Sequence, residues 1–99
     1  MKSKIIYVFH AKPWQHASPG GWHFVTLPKD VSTEIRQALK FEEQGWGRLK
    51  AFAKIGNSQW ETAIWFDTKC QSYLLPLKAD IRKKETVLVG DEIEVSIWV

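Results

Sequence analysis

One cysteine, Cys70, stands in a chain of 99 residues. No disulfide can close within the chain, so the fold has to rest on a packed core. A lone thiol suits a reducing compartment, and a cytoplasmic location is the expectation. No apolar run approaches the ~20 residues that span a bilayer. The start, MKSKIIYVFHAKPW, carries charge but only a short apolar run, Ile5 to Phe9, and has no small-residue cleavage site. It does not read as a secretory signal, and no membrane partner is expected. Charge of neither sign dominates: 14 Lys and Arg stand against 11 Asp and Glu, a net +3. That balance permits a nucleic-acid or acidic partner without requiring one. No phosphate-cradling glycine motif, Walker pattern or nucleophile elbow occurs. His10, His16 and His23 fall on separate segments with no second ligand at metal spacing, so neither a metal nor a cofactor is expected. Cys70 has Lys69 beside it but no assignable histidine partner, and no catalytic residue is assigned.

What is present is aromatic. Six Trp in so short a chain is a high count. Large rings fill a small core efficiently and also mark binding surfaces. A chain of this length buries roughly 60–70% of its unfolded surface, enough for one domain over residues 1–99.

Residues 4–14 read as a strand, rich in β-branched and aromatic side chains. The loose run QHASPGG, 15–21, reads as a turn or loop. Residues 22–27, WHFVTL, form a second strand that Pro28 stops. Asp30 then suits a helix N-cap, and Val31, Ile35, Ala38 and Leu39 share one face. Residues 46–55 and 60–67 alternate in polarity about Gly56-Asn57-Ser58-Gln59. With Asn57-Ser58 as a two-residue loop, Leu49, Ala51, Ala53 and Ile55 face Phe66, Ile64, Thr62 and Trp60 on one apolar side. On the other side Lys54 meets Glu61, Phe52 meets Ala63, Lys50 meets Trp65 and Arg48 meets Asp67. Residues 72–77, SYLLPL, form a short strand that Pro76 should end or confine to an edge. A short helix over 79–84, a tight turn at Val89-Gly90-Asp91 and a last strand over 92–99 follow, with Trp98 on the outward set. About six strands and two short helices in so few residues predict a mostly-β small barrel.

A weak internal repeat pairs Leu27-Pro28, Ile35-Arg36, Leu39 and Phe41 with Leu75-Pro76, Ile81-Arg82, Glu85 and Val87. The second copy, LPLKADIRKKETVLVGDEIEVSI, resembles the strand–Pro–helix–Gly-Asp–strand pattern of the AbrB and MazE family. It carries two extra residues after Pro76, and Glu85-Thr86 where that family favours Leu-Gly. Over almost its whole length the chain is also similar to domain-of-unknown-function family 1905. The motifs are GGWHFVTLP (20–28), GWGRLKAFAKIG (45–56), YLLPLKADIRK (73–83) and VGDEIEV (89–95). The resemblance implies a bacterial protein with a double-split, AbrB-like β-barrel, one chain holding both halves of a shape that AbrB-type proteins build from two subunits.

Two functional readings follow. The first is a non-enzymatic binding module for nucleic acid, protein or a small ligand, acting as monomer or homodimer. Its nucleic-acid candidates are Trp46, Arg48, Lys50 and Lys54 on the strand, with Arg82 and Lys83 at the helix end. Cations interleaved with aromatics hold phosphate while rings stack on bases. The plainer account of that strand is that Lys54–Glu61 and Arg48–Asp67 neutralise each other across the hairpin. The AbrB-like pattern adds DNA as a partner by analogy, although a chain with both halves need not present the AbrB dimer surface. The second reading is a small enzyme or ligand pocket lined by Trp22, His23, Trp60 and Tyr73.

Overall fold

The structure is a computed structural model describing residues 5–17 and 20–99, the Trp46 side chain excepted. In chain order the elements are β1 (Ile6–Ala11), β2 (Trp14–Gln15), β3 (His23–Thr26), α1 (Lys29–Leu39), β4 (Arg48–Ile55), β5 (Ser58–Asp67), β6 (Ser72–Leu77), α2 (Ala79–Lys84) and β7 (Ile93–Trp98). Two single 3-10 turns, Lys40–Glu42 and Gly45–Gly47, link α1 to β4. The seven strands among the described residues form one antiparallel sheet in the order β1-β7-β4-β5-β6-β3-β2.

β1 and β2 lie at opposite ends of that order, yet only Lys12 and Pro13 separate them in the chain. The sheet therefore curls until its two ends meet at one corner, which gives the mostly-β, barrel-like form the sequence predicts. The single strand expected over 4–14 breaks at this corner. Pro13 is fully buried and has no N–H to extend a ladder. Its carbonyl accepts the Gly90 N–H at 3.1 Å.

The inward side chains close a single core. Val25, Ile35, Ala53, Ile64, Tyr73, Leu75, Val95 and Ile97 are fully buried. Burying a Val, Leu or Ile contributes roughly 1.5–3 kcal/mol each. α1 starts one residue before Asp30, which sits in its first turn and accepts the Val31 N–H at 2.9 Å. A carboxylate there complements the helix dipole. Ile35 points into the core, and the buried Ser32 hydroxyl accepts the Tyr73 N–H at 3.0 Å. Both repeat copies put their isoleucine, Ile35 and Ile81, into buried positions. Among the described residues no helix is long and apolar enough to cross a membrane.

The central hairpin differs from expectation by one step in its loop. Gly56-Asn57 connects the strands, so Ile55 faces Ser58, Ala53 faces Trp60, Ala51 faces Thr62 and Leu49 faces Ile64. Every pairing moves by two residues. Because side chains alternate with period two, the apolar set still faces inward. The outward partners change: Lys54 faces Gln59, Phe52 faces Glu61, Lys50 faces Ala63 and Arg48 faces Trp65. Gly56 explains the choice. It takes φ +58°, as the first central residue of a type II′ turn requires, and glycine does so without strain. The loop then leaves Ser58 buried, with its hydroxyl donating to Glu85 at 2.6 Å.

At Pro76 the expectation of a strand end or an edge holds locally, although the strand as a whole is not at the edge of the sheet. Its strand is interior, between β5 and β6's other neighbour β3. The Leu27 N–H bonds the Tyr73 carbonyl at 2.9 Å, which turns the odd positions of β6 toward β3. Position 76 therefore faces β5. The β5–β6 pairing ends at Trp65↔Leu74, short of the proline, while β3 stays paired as far as His23↔Leu77. A residue without an N–H is tolerated because β5 and β6 part there. A second parting lies between β4 and β7, which pair only at Phe52↔Trp98, Ala53↔Ile97 and Lys54↔Ser96.

Candidate functional site: a basic groove where two strands part

Beside Pro76 the gap between β5 and β6 opens a groove of about 380 Å³ on the outer face of the sheet. Alternation brings Arg48 and Lys50 from β4, Glu61 and Trp65 from β5, and Pro76 from the end of β6, with Lys78 just beyond it. The groove thus holds three cations and one carboxylate. Among the described residues the one ion pair is Arg36–Glu43, at 3.9 Å, so the cations of the groove are not neutralised in salt bridges. The two charge pairs expected across the hairpin do not form, because the two-residue shift moves Glu61 opposite Phe52 and carries Asp67 past the end of β4.

Arg48 is held in place. Its guanidinium donates to Gln44 Oε1 at 2.9 Å, and its Cζ lies 5.9 Å from the centre of the Trp65 ring. The cation–aromatic pair of this hairpin is therefore Arg48–Trp65 rather than Lys50–Trp65. Lys50 and Lys78 are exposed, and Phe52 lies outward on the same face. Lys54, also exposed, lines the other parting of the sheet instead. Trp46 precedes the strand in the Gly45–Gly47 turn, and its side chain lies outside the described residues. Lys83 is exposed on α2 and does not line the groove.

The four aromatic-pocket candidates do not share one site: Trp22 and His23 stand together, without Trp60 and Tyr73. Trp22 and His23 line a neighbouring cleft of about 350 Å³ that shares Pro76 and Lys78 with the groove and adds Arg82. Tyr73 is fully buried; its hydroxyl donates to the Glu43 carboxylate, and its ring meets Phe66 edge-on at 5.1 Å. Burial, then Glu43, push its pKa far above the ordinary tyrosine range. Arg36, 3.7 Å over the Phe66 ring, completes a clasp between α1 and the sheet. Trp60 is half-buried opposite Ala53, and its indole N–H is buried with no hydrogen-bond partner among the described residues.

Sequence reasoning missed two residues of the groove. Lys78 continues the outward alternation of Leu74 and Pro76, a period-two signal that runs past the proline. Trp65 stood in the hairpin pattern, but its cationic partner depends on the loop position.

The fold and site together define a class: a small barrel-like domain whose curled sheet parts beside a proline and bares a cationic, aromatic groove. Within that class the chain belongs to the family described as Domain of unknown function (DUF1905), whose model matches residues 9–97. No curated protein matches the chain.

Proposed function

We propose that this domain is a binding module that lays single-stranded nucleic acid along the groove between β5 and β6. The observation that carries the reading is the unpaired set Arg48, Lys50 and Lys78 beside Trp65. Cations lining one groove hold the phosphates of a strand, and an outward indole offers a π-face to a base. A duplex hides its base faces, so the aromatic component favours an unpaired strand. Phe52, in the outward row next to Lys50, extends the stacking surface.

The test is the anisotropy of a labelled oligomer of about eight nucleotides. With three phosphates neutralised, the slope of log K against log salt is about −2 for a single strand. Affinity then falls roughly 20-fold between about 50 and 200 mM salt. A flat salt response, or no binding at about 50 mM, removes the proposal.

A further inference from the structure

The groove adjoins the cleft formed by Trp22, His23 and Arg82, and Pro76 and Lys78 line both. There the sheet runs out: beyond β3 lies only the two-residue β2. Among the described residues the cleft has two cations, Lys78 and Arg82, and no carboxylate in its lining. Arg82 is fixed before any ligand arrives. Its Nε donates to the Leu77 carbonyl at 3.3 Å, and its NH1 lies 3.4 Å from His23 Nε2. The neutral imidazole accepts there, because an imidazolium would present a proton to the guanidinium. Among the described residues the remaining nitrogen, NH2, makes no hydrogen bond and can donate to an anion.

Trp22 supplies the other half of the site. It is 67% exposed, a large indole left in water. One side of it rests on Phe24, with ring centres 6.3 Å apart and planes 20° apart, and Phe24 packs on Trp14 at 5.2 Å. Trp14 is tied down in turn by its indole N–H donating to Thr26 at 2.8 Å. The exposed ring is thus a supported platform with one free face.

We infer that this cleft is an end site: it takes the terminal nucleotide of the strand, its phosphomonoester between Arg82 and Lys78 and its base on Trp22. A phosphomonoester carries nearly twice the charge of an internal phosphodiester near neutral pH, which matches a two-cation pocket at the end of a track. The inference rests on the proposed function for the strand that leads into the cleft. The cleft itself can be tested without that strand.

The experiment compares oligomers of one sequence bearing a 5′-phosphate, a 3′-phosphate or no terminal phosphate. One phosphorylated end should bind roughly tenfold more tightly than the unphosphorylated oligomer, the scale of one charge-assisted hydrogen bond. Arg82→Gln should abolish that preference, so that the three oligomers bind alike. Trp22→Ala, at an exposed position, should weaken the phosphorylated oligomer and serves as the second variant if Arg82→Gln does not fold. Equal affinity for all three oligomers overturns the inference and leaves the groove standing. If no oligomer binds, the proposed function fails, and the cleft is judged on a nucleoside monophosphate alone. Perturbation of the Trp22 indole resonance by that ligand, lost in Arg82→Gln, sustains the end site; no perturbation overturns it.

Discussion

The sheet parts twice, and the two openings differ in charge and filling. Between β5 and β6 the lining carries three cations, Arg48, Lys50 and Lys78, against Glu61. Between β4 and β7 it carries one cation, Lys54, against Glu85 and Glu94, with Val8, Val87 and Ile93 around them. In the second opening Glu85 is engaged. It accepts the Ser58 hydroxyl at 2.6 Å and lies so close to Gly56 that a Cβ there would meet its carboxylate. At the second opening Glu85, just after α2, is bridged to Ser58 at the start of β5, whereas the cations of the first opening, beside a proline, make no ion pair among the described residues. Similar backbone events therefore end in different chemistry, because the side chains that flank them differ. The repeat that links Leu27-Pro28 to Leu75-Pro76 hints at the same asymmetry. Pro28 precedes a helix after the strand has ended, whereas Pro76 stands within one.

Reversing the charge of the open groove is the strongest way to break this comparison. Lys50→Glu with Lys78→Glu puts two carboxylates where phosphates would lie. Oligomer affinity should fall at least about 100-fold, and the salt slope should lose about 1.4 of its magnitude, 0.7 for each phosphate contact. Lys54→Glu in the second opening should change affinity by no more than about twofold. Equal losses from the two openings would show that net charge, and not the groove, drives binding. The next effect is Trp65→Ala, which removes one stacking face and should cost about 2 kcal/mol, roughly 30-fold in Kd. A circular dichroism melt is needed alongside, since the half-buried ring also packs on the sheet. Unchanged binding by a folded Trp65→Ala protein would take base stacking out of the proposal.

The faces of the sheet were legible in the sequence, while the pairing between them was not. Leu49, Ala51, Ala53 and Ile55 alternate cleanly, and a two-residue slip cannot move them to the other side. The loop was ambiguous because Gly56-Asn57 and Asn57-Ser58 both read as turns. Lys54–Glu61 and Arg48–Asp67 favoured the wrong one. Exposed cross-strand pairs are worth about 0.2–1 kcal/mol each. They lose to a glycine at positive φ and to a buried Ser58 that finds a carboxylate 27 residues away. No local pattern announces that carboxylate, nor that β6 lies between β5 and β3. The groove depends on both facts, so Lys50 and Arg48 stood out in the sequence while their unpaired state did not.

The bridged opening offers a third measurement. Gly56→Ala must hold an L residue at φ +58° and drive its Cβ toward Glu85. The backbone alone costs about 1–2 kcal/mol. In urea unfolding the variant should lose at least that much. Measured against Glu85→Ala alone, so that the lost Ser58 hydrogen bond is common to both proteins, Gly56→Ala should cost less by the steric part only, since the φ penalty stays. No cost at all in that background would mean that the turn tolerates a Cβ, and glycine would no longer explain the loop position.

The smallest effect lies in the cleft at the end of the open groove and reads the His23–Arg82 contact directly. Burial, and then the Arg82 charge, hold the His23 pKa below its ordinary 6.5. The unfolded chain therefore binds a proton at a higher pH than the folded one. This histidine's contribution to stability is present above 6.5 and is lost as pH falls through the lowered folded value. Arg82→Gln deletes the charge but not the burial. Because burial is the larger cause, the His23 midpoint, followed through its imidazole proton resonances, should rise toward 6.5 without reaching it. A midpoint that does not move would mean that the 3.4 Å contact carries no charge effect, and that Arg82 is not held over the cleft by His23.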